Sequence, residues 1–280
     1  MRSSVDIDSR RHAVTDILSA SSPRETDVFD QRAETHTLST GHEVTVPFDA
    51  AAEATAVAVA ADAGAVTEWL PEGLSPVRLS PGHTVVTLLS VDYRRIGDDA
   101  MTPYEEVGVL LPATPAAGAV PELGALGREL TGSTGALGGY VAALPVTTEP
   151  ARALGVEIWG YPKSVAEIRI TDRGDRRRTA LGDDRGHALT VEAPWRPRIE
   201  TTVATTSYTD GTGTEGEPGG RLRSQPLELS GRFGARPLAG SYALGHHPLA
   251  ERLRGLGLGR ALGALAFDGR LRIGGGRPVG

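Results

Sequence analysis

The chain has no cysteine and, among its 29 basic residues, a single lysine, Lys163; the other 28 are arginine. Without cysteine the fold cannot depend on disulfides, and thiolate metal sites and cysteine nucleophiles are excluded. Acidic residues outnumber basic ones 35 to 29, for a net charge of -6, so no basic excess exists to neutralise phosphates and nucleic acid is not an expected partner. No run of 18 uncharged apolar residues occurs and the N-terminus, Met1-Arg2-Ser3-Ser4, lacks an apolar signal core, so a cytoplasmic protein without membrane contact is the expectation. The near-absence of lysine carries the most information. Arginine stays protonated and cannot serve as an amine nucleophile, whereas a desolvated lysine can lose its proton. The one position that keeps lysine is therefore a candidate for amine chemistry, set against the plainer reading of a chance survivor in an exposed loop.

What is present is enough apolar residue, 39% of 280, for one substantial core. Residues 1–42 are rich in Ser, Thr, Asp, Glu and Arg without apolar period and read as a polar tail or peripheral segment; residues 43–280 form the expected single domain. Thr55–Ala61 reads as a strand leading to a short helix over Ala63–Leu70, stopped by Pro71. The β-branched run His83–Tyr93 reads as a buried strand with Glu106–Leu111 as its partner. A glycine-rich stretch over residues 114–139, with a possible helix at Glu122–Leu130, lacks the spacing of a phosphate loop.

Strand character resumes over Tyr140–Val146. Thr148 then caps a helix with Pro150 in its first turn and Ala151, Leu154, Gly155 and Ile158 on one face, ending near Trp159-Gly160. Further strands are expected at Ser164–Thr171, His187–Ala193, Ile199–Ser207, Leu227–Phe233 and Arg270–Ile273, with a charged hairpin at Asp172–Arg178, a loop at Gly211–Gly220 and a helix at Pro248–Leu258. Strands without regular helical crossovers imply an α+β domain, mostly antiparallel sheet with a barrel-like core and a few short helices.

Lys163 follows Gly160-Tyr161-Pro162 at the junction of that amphipathic helix with a strand, where a fixed backbone projects a side chain into a cavity. With a reference pKa near 10.4, only about one lysine in 2,500 is neutral at pH 7, an obstacle of roughly 4.6 kcal/mol. Burial among residues such as Trp159 and Tyr161 would offset it. Glu106, a carboxylate on a strand otherwise bearing Val107, Val109, Leu110 and Leu111, either serves a pocket or points to solvent beside Glu105.

The run Gly155-Val156-Glu157-Ile158-Trp159-Gly160-Tyr161-Pro162-Lys163 resembles the signature around the Schiff-base lysine of the acetoacetate decarboxylase family. Gly139-Tyr140, Glu149-Pro150-Ala151, Pro103-Tyr104-Glu105-Glu106-Val107-Gly108, Leu70-Pro71-Glu72-Gly73-Leu74 and Leu244-Gly245-His246-His247-Pro248 also resemble segments of that family, so the likeness spans roughly residues 44–280. The resemblance implies a cofactor-independent carbon–carbon lyase with Lys163 as nucleophile and Glu106 as the facing acid for proton transfer. Tyr161, Trp159 and Tyr104 would line the substrate pocket, and a homo-oligomer is implied. A keto acid, ketone or aldehyde is the implied partner, decarboxylation of a β-keto acid the implied reaction; aldol or aldol-dehydration chemistry on the same Schiff base and a non-catalytic binding domain are the alternatives.

Three positions depart from the family pattern. Ser164 stands where a second lysine follows the nucleophile, only Ala52 and Glu53 occupy the place of an arginine, and Val85, Val86 and Thr87 occupy the place of a further pocket glutamate. No metal is expected: His246-His247 lacks ligand spacing, and the loop context favours a helix entry. There is no GxSxG elbow, Arg176-Arg177-Arg178 reads as part of a solvated hairpin, and Trp69 and Trp195 read as core or rim residues.

Overall fold

The computed structural model describes residue 29 and residues 32–97, 101–115, 138–211 and 220–279. The possible helix at Glu122–Leu130 and most of the Gly211–Gly220 loop lie outside the described residues. Sixteen strands occur among those described: β1 (Glu34–Thr37), β2 (Glu43–Val46), β3 (Phe48–Asp62), β4 (Leu74–Pro76), β5 (Arg78–Ser80), β6 (His83–Ile96), β7 (Tyr104–Pro115), β8 (Gly138–Ala143), β9 (Glu167–Arg173), β10 (Arg176–Asp183), β11 (Gly186–Pro194), β12 (Ile199–Thr209), β13 (Arg223–Pro237), β14 (Ser241–Leu244), β15 (Ala261–Ile273) and β16 (Arg277–Pro278). Three short helices accompany them: α1 (Ala63–Trp69), α2 (Glu149–Trp159) and α3 (Pro248–Gly255).

The strand order β7-β8-β12-β13-β15-β3-β6, with β6 pairing back onto β7, closes a seven-stranded barrel. Every barrel pairing is antiparallel except β8 with β12, which is parallel over Thr206–Tyr208. A second, four-stranded antiparallel sheet, β14-β11-β10-β9, packs on the outside. The fold is thus the α+β, mostly antiparallel, barrel-like single domain expected from the sequence.

Strand β3 shows how the chain serves two cores. Phe48, Ala50, Ala52 and Ala54 alternate into the barrel interior, whereas Val57, Val59 and Ala61 belong to the core facing the second sheet. Because the interior positions after Phe48 are alanines rather than larger residues, this part of the barrel wall leaves space.

Several strands are longer than their apolar runs suggest. The Thr55–Ala61 strand starts at Phe48, the Leu227–Phe233 strand runs over Arg223–Pro237, and Arg270–Ile273 is only the end of a 13-residue strand between β13 and β3. Small residues in those extensions weaken the sequence signal, while ladder bonds to neighbours supply the order. Glu34–Thr37, inside the segment read as a polar tail, pairs with β2, and Ser39 hydrogen-bonds through its amide to Glu157 at 3.0 Å. The expected strand at Ser164–Thr171 begins only at Glu167; Ser164–Ala166 instead run beside Val146. The hairpin at Asp172–Arg178 is not fully solvated, because Arg177 is buried on Asp172, Glu53 and the ring of Trp195. His247 accepts from the Leu249 amide as the cap of α3, and its Nε2 lies 3.0 Å from Asp183. No helix among the described residues is long and apolar enough to cross a membrane.

Candidate active site

Tyr104 and Glu106, two residues apart on β7, face the same side, and their partners on β6 are Tyr93 and Val91. That side is the barrel interior, where the Glu106 side chain is 5% exposed, so the solvated-edge reading fails. Lys163 reaches it by way of α2. Thr148 caps the helix by accepting from the Ala151 amide, with Pro150 in the first turn, and Gly160 ends it in the left-handed region at φ 71°. There the Tyr161 amide returns to the Gly155 carbonyl at 3.0 Å, while the Gly160 carbonyl accepts from Thr209 Oγ1 at 2.8 Å. Trp159 anchors the last turn by donating Nε1–H to the Gly274 carbonyl at 3.0 Å.

Beyond the helix, the Lys163 amide bonds the Tyr161 carbonyl across Pro162 at 2.8 Å. Val146 then stitches the site together, forming an antiparallel bridge with Glu106 and a parallel one with Val165. One strip of backbone thereby separates the lysine segment from the glutamate strand. The Lys163 side chain is 3% exposed and its Nζ lies 2.7 Å from Glu106 Oε2. It is not the exposed loop lysine of the plainer reading. Its stem lies against Gly155: a Cβ there would stand 2.3 Å from Lys163 Cε and 2.4 Å from Cδ, so the glycine is required by close approach.

Glu106 Oε1 accepts a long 3.4 Å bond from the Tyr93 hydroxyl, and the Tyr93 and Tyr104 rings lie 4.5 Å apart. Lys163 Nζ is 5.3 Å from the Tyr104 ring centroid. Burial, then the neighbouring Glu106 charge, pushes the Tyr93 and Tyr104 phenols well above their ordinary value of 10.0. Burial also raises Tyr161, against the lowering effect of its hydrogen bond to Ser207. All three therefore act as neutral phenols. The Tyr161 and Ser207 hydroxyls share a 2.6 Å hydrogen bond, and Ser207 lies 3.1 Å from Gln225 Oε1. Tyr161 consequently presents its ring, not a free hydroxyl.

These residues border a cavity of about 190 Å³. The expected set Lys163, Glu106, Tyr161, Trp159 and Tyr104 all line it. Sequence reasoning missed Tyr93, Ser207 and an apolar wall that includes Leu227, Leu229, Phe267 and Leu271. Tyr93 closed the apolar run recognised as a strand and was a readable signal; the wall comes from strands remote in sequence and was not. Among the described lining residues only Lys163 and Glu106 carry charge.

The three departures now have places. Ser164 is exposed, Ala52 lines the cavity while Glu53 turns outward to Arg94 and Arg177, and Val86 belongs to the other core. No arginine among the described residues takes over the missing neighbouring cation inside the cavity. Among the described residues, no three of His, Asp and Glu converge as a metal site.

Fold and site define a closed β-barrel protein with a lysine–carboxylate pair at an internal apolar cavity. A family model described as acetoacetate decarboxylase (ADC) matches residues 34–280, and the chain belongs to that family. Among solved structures, an acetoacetate decarboxylase from Legionella pneumophila is similar over 91% of this chain and 94% of its own, at 18% identity and a TM-score of 0.56. A structure from structural studies of acetoacetate decarboxylase aligns over 91% of this chain and 97% of its own, with 13% identity and a TM-score of 0.60. The enduracididine biosynthesis enzyme MppR complexed with pyruvate aligns over 82% and 89%, with 14% identity and a TM-score of 0.57. At these identities the likeness is one of fold. No curated protein matches the chain.

Proposed function

We propose that the protein is a carbon–carbon lyase that decarboxylates a β-keto acid through a Schiff base on Lys163. The observation that carries this reading is the 2.7 Å contact between a buried lysine amine and a single buried carboxylate, at the edge of a cavity otherwise free of charge among its described residues. Transfer of a proton from Nζ to Glu106 leaves a neutral amine that attacks the ketone carbon. Glu106 returns that proton to the carbinolamine oxygen, which leaves as water, and the iminium remains. The bond to the carboxylate then breaks, carbon dioxide departs, and its electron pair enters the iminium to give an enamine. The enamine carbon takes a proton from water by way of Glu106, hydrolysis frees the ketone, and one proton from solvent restores the ion pair. Loss of carbon dioxide removes a carboxylate from surroundings that solvate it poorly, which favours the forward step.

An aldol or aldol-dehydration reaction on the same iminium is the second reading. The lack of an arginine among the described lining residues favours it, since that chemistry needs no substrate carboxylate. Borohydride trapping with β-keto acids, pyruvate and simple aldehydes tests the shared step: a mass increment is expected on the peptide holding Lys163, where only the N-terminal amine competes. Absence of that increment with every carbonyl compound would leave the non-catalytic binding domain standing. Released carbon dioxide separates decarboxylation from the aldol reading.

A further inference from the structure

The order of strands round the barrel sets what the cavity holds opposite the lysine. From β7, which carries Glu106, the path runs through β8 and β12 to β13, and in the other direction through β6 and β3 to β15. Strands β13 and β15 are therefore each three steps away in a ring of seven, on the far side. They contribute Leu227 and Leu229, and Phe267, Leu271 and Ile273, to the lining. On the neighbouring strand β3 the lining residues are Phe48, Ala52 and Ala54, and the two alanines leave width. A charged end reaching that wall would meet no charged partner there, at a heavy cost in desolvation, since the nearest polar lining groups are the hydroxyls of Thr205 and Ser207 on the adjacent strand β12. A cavity of about 190 Å³ exceeds the roughly 150 Å³ of an engineered apolar cavity that takes up benzene. The carbonyl end of a small keto acid, held at Lys163, leaves part of this volume unfilled.

We infer that the substrate is a β-keto acid whose ketone carries a hydrocarbon substituent of about six carbons, straight-chain or phenyl, seated against the β13–β15 wall, with no second charged group. This rests on the Schiff-base reading and adds the class of compound to it. Burial of each methylene strengthens binding about four-fold, so four extra methylenes give on the order of a 100-fold gain.

The test compares kcat/KM for acetoacetate, 3-oxohexanoate, 3-oxooctanoate and benzoylacetate, with borohydride trapping on Lys163 run in parallel. The expected result is a rise of on the order of 100-fold from acetoacetate to 3-oxooctanoate, with benzoylacetate close to the latter. Leu229→Trp, which fills the far wall, shifts the preference back toward acetoacetate, and Leu271→Trp does the same from the neighbouring strand. Thermal-shift titrations of the unaltered protein with 2-heptanol and 2-propanol, neither of which can form a Schiff base, need no variant to fold; tighter binding of 2-heptanol is expected. Trapped mass on Lys163 with rates flat or falling along the series, or 2-propanol binding as tightly as 2-heptanol, overturns the substrate class and leaves the Schiff base intact. No trapped mass with any acid overturns the Schiff-base reading itself.

Discussion

Lys163 and Arg177 are almost equally withdrawn from water, at 3% and 2% side-chain exposure, but one lies inside the barrel and the other between the barrel and the second sheet. Arg177 donates to two carboxylates, Asp172 at 2.8 Å and Glu53 at 2.6 Å, and its guanidinium lies 3.9 Å above the ring of Trp195. Packing closes round it. Lys163 has one carboxylate and, beyond that, open volume. Strand β3 touches both regions, turning Glu53 outward to the arginine and Ala52 and Ala54 inward to the cavity. Burial of a cation is thus not by itself a sign of chemistry; the sign is a titratable amine, one counter-charge and room for a reactant.

The difference is broken most severely by making the two sites alike. Lys163→Arg keeps a cation beside Glu106 but removes the proposed nucleophile, so kcat/KM is expected to fall on the order of 10⁴-fold or more, with borohydride-trapped mass lost from that peptide. Circular dichroism showing a folded variant with undiminished turnover would sink the assignment. Glu106→Gln keeps the shape and removes the proposed proton carrier, and a loss of about 10³-fold in kcat is expected in single-turnover kinetics. Gly155→Ala acts through position alone. The added methyl overlaps Lys163 Cδ and Cε, so the amine must move off Glu106, and since misplacement by about 1 Å costs on the order of 10²-fold, a loss of about 10- to 100-fold is expected with little change in melting temperature. An unchanged rate for this variant would show that the stem of Lys163 yields freely.

Much of the interior site was legible because its parts are local. Thr148, Pro150 and Gly160 mark the helix ends by capping chemistry, and the unique lysine follows at once. Glu106 was readable as a carboxylate out of place in an apolar run, with its direction left open; only the β6–β7 register and the Val146 bridges aim it at Lys163. The Arg177 site was not legible. In the chain Arg176-Arg177-Arg178 is one charged run, and nothing local distinguishes its middle member. Strand alternation turns that residue inward, and its partner Glu53 is 124 positions away. The apolar far wall was hidden for the same reason, since barrel closure alone brings β13 and β15 opposite β7.

The exterior cation should reverse the pattern of effects. Arg177→Leu leaves Glu53 and Asp172 without their shared partner, and because those carboxylates keep 25% and 45% exposure the cost falls below that of a fully buried pair, at about 2 kcal/mol. A lowered urea midpoint with kcat/KM per folded molecule unchanged is the expected outcome; a large loss of turnover would mean that the outer network shapes the cavity through β3.

The same network sets the smallest effect, a pH dependence of stability. Burial tends to raise the Glu53 carboxyl, but hydrogen bonds from Arg94 and Arg177 outweigh it and hold the group below its ordinary value of 4.5. Asp172 is likewise held below 3.8, first by its hydrogen bond from Arg177. A carboxyl whose folded-state pKa is depressed contributes stability that is fully present above the unfolded-state pKa and disappears as pH falls through the folded-state value. The contribution of Arg177 is therefore complete above about pH 4.5 and declines below it. Urea unfolding of the unaltered protein and of Arg177→Leu at pH 7 and again near pH 3.5 should show the gap between their midpoints narrowing at the lower pH. A gap that stays constant would mean that Arg177 stabilises by its packing on Trp195 rather than by its carboxylates, and the contrast with Lys163 would then rest on cavity volume alone.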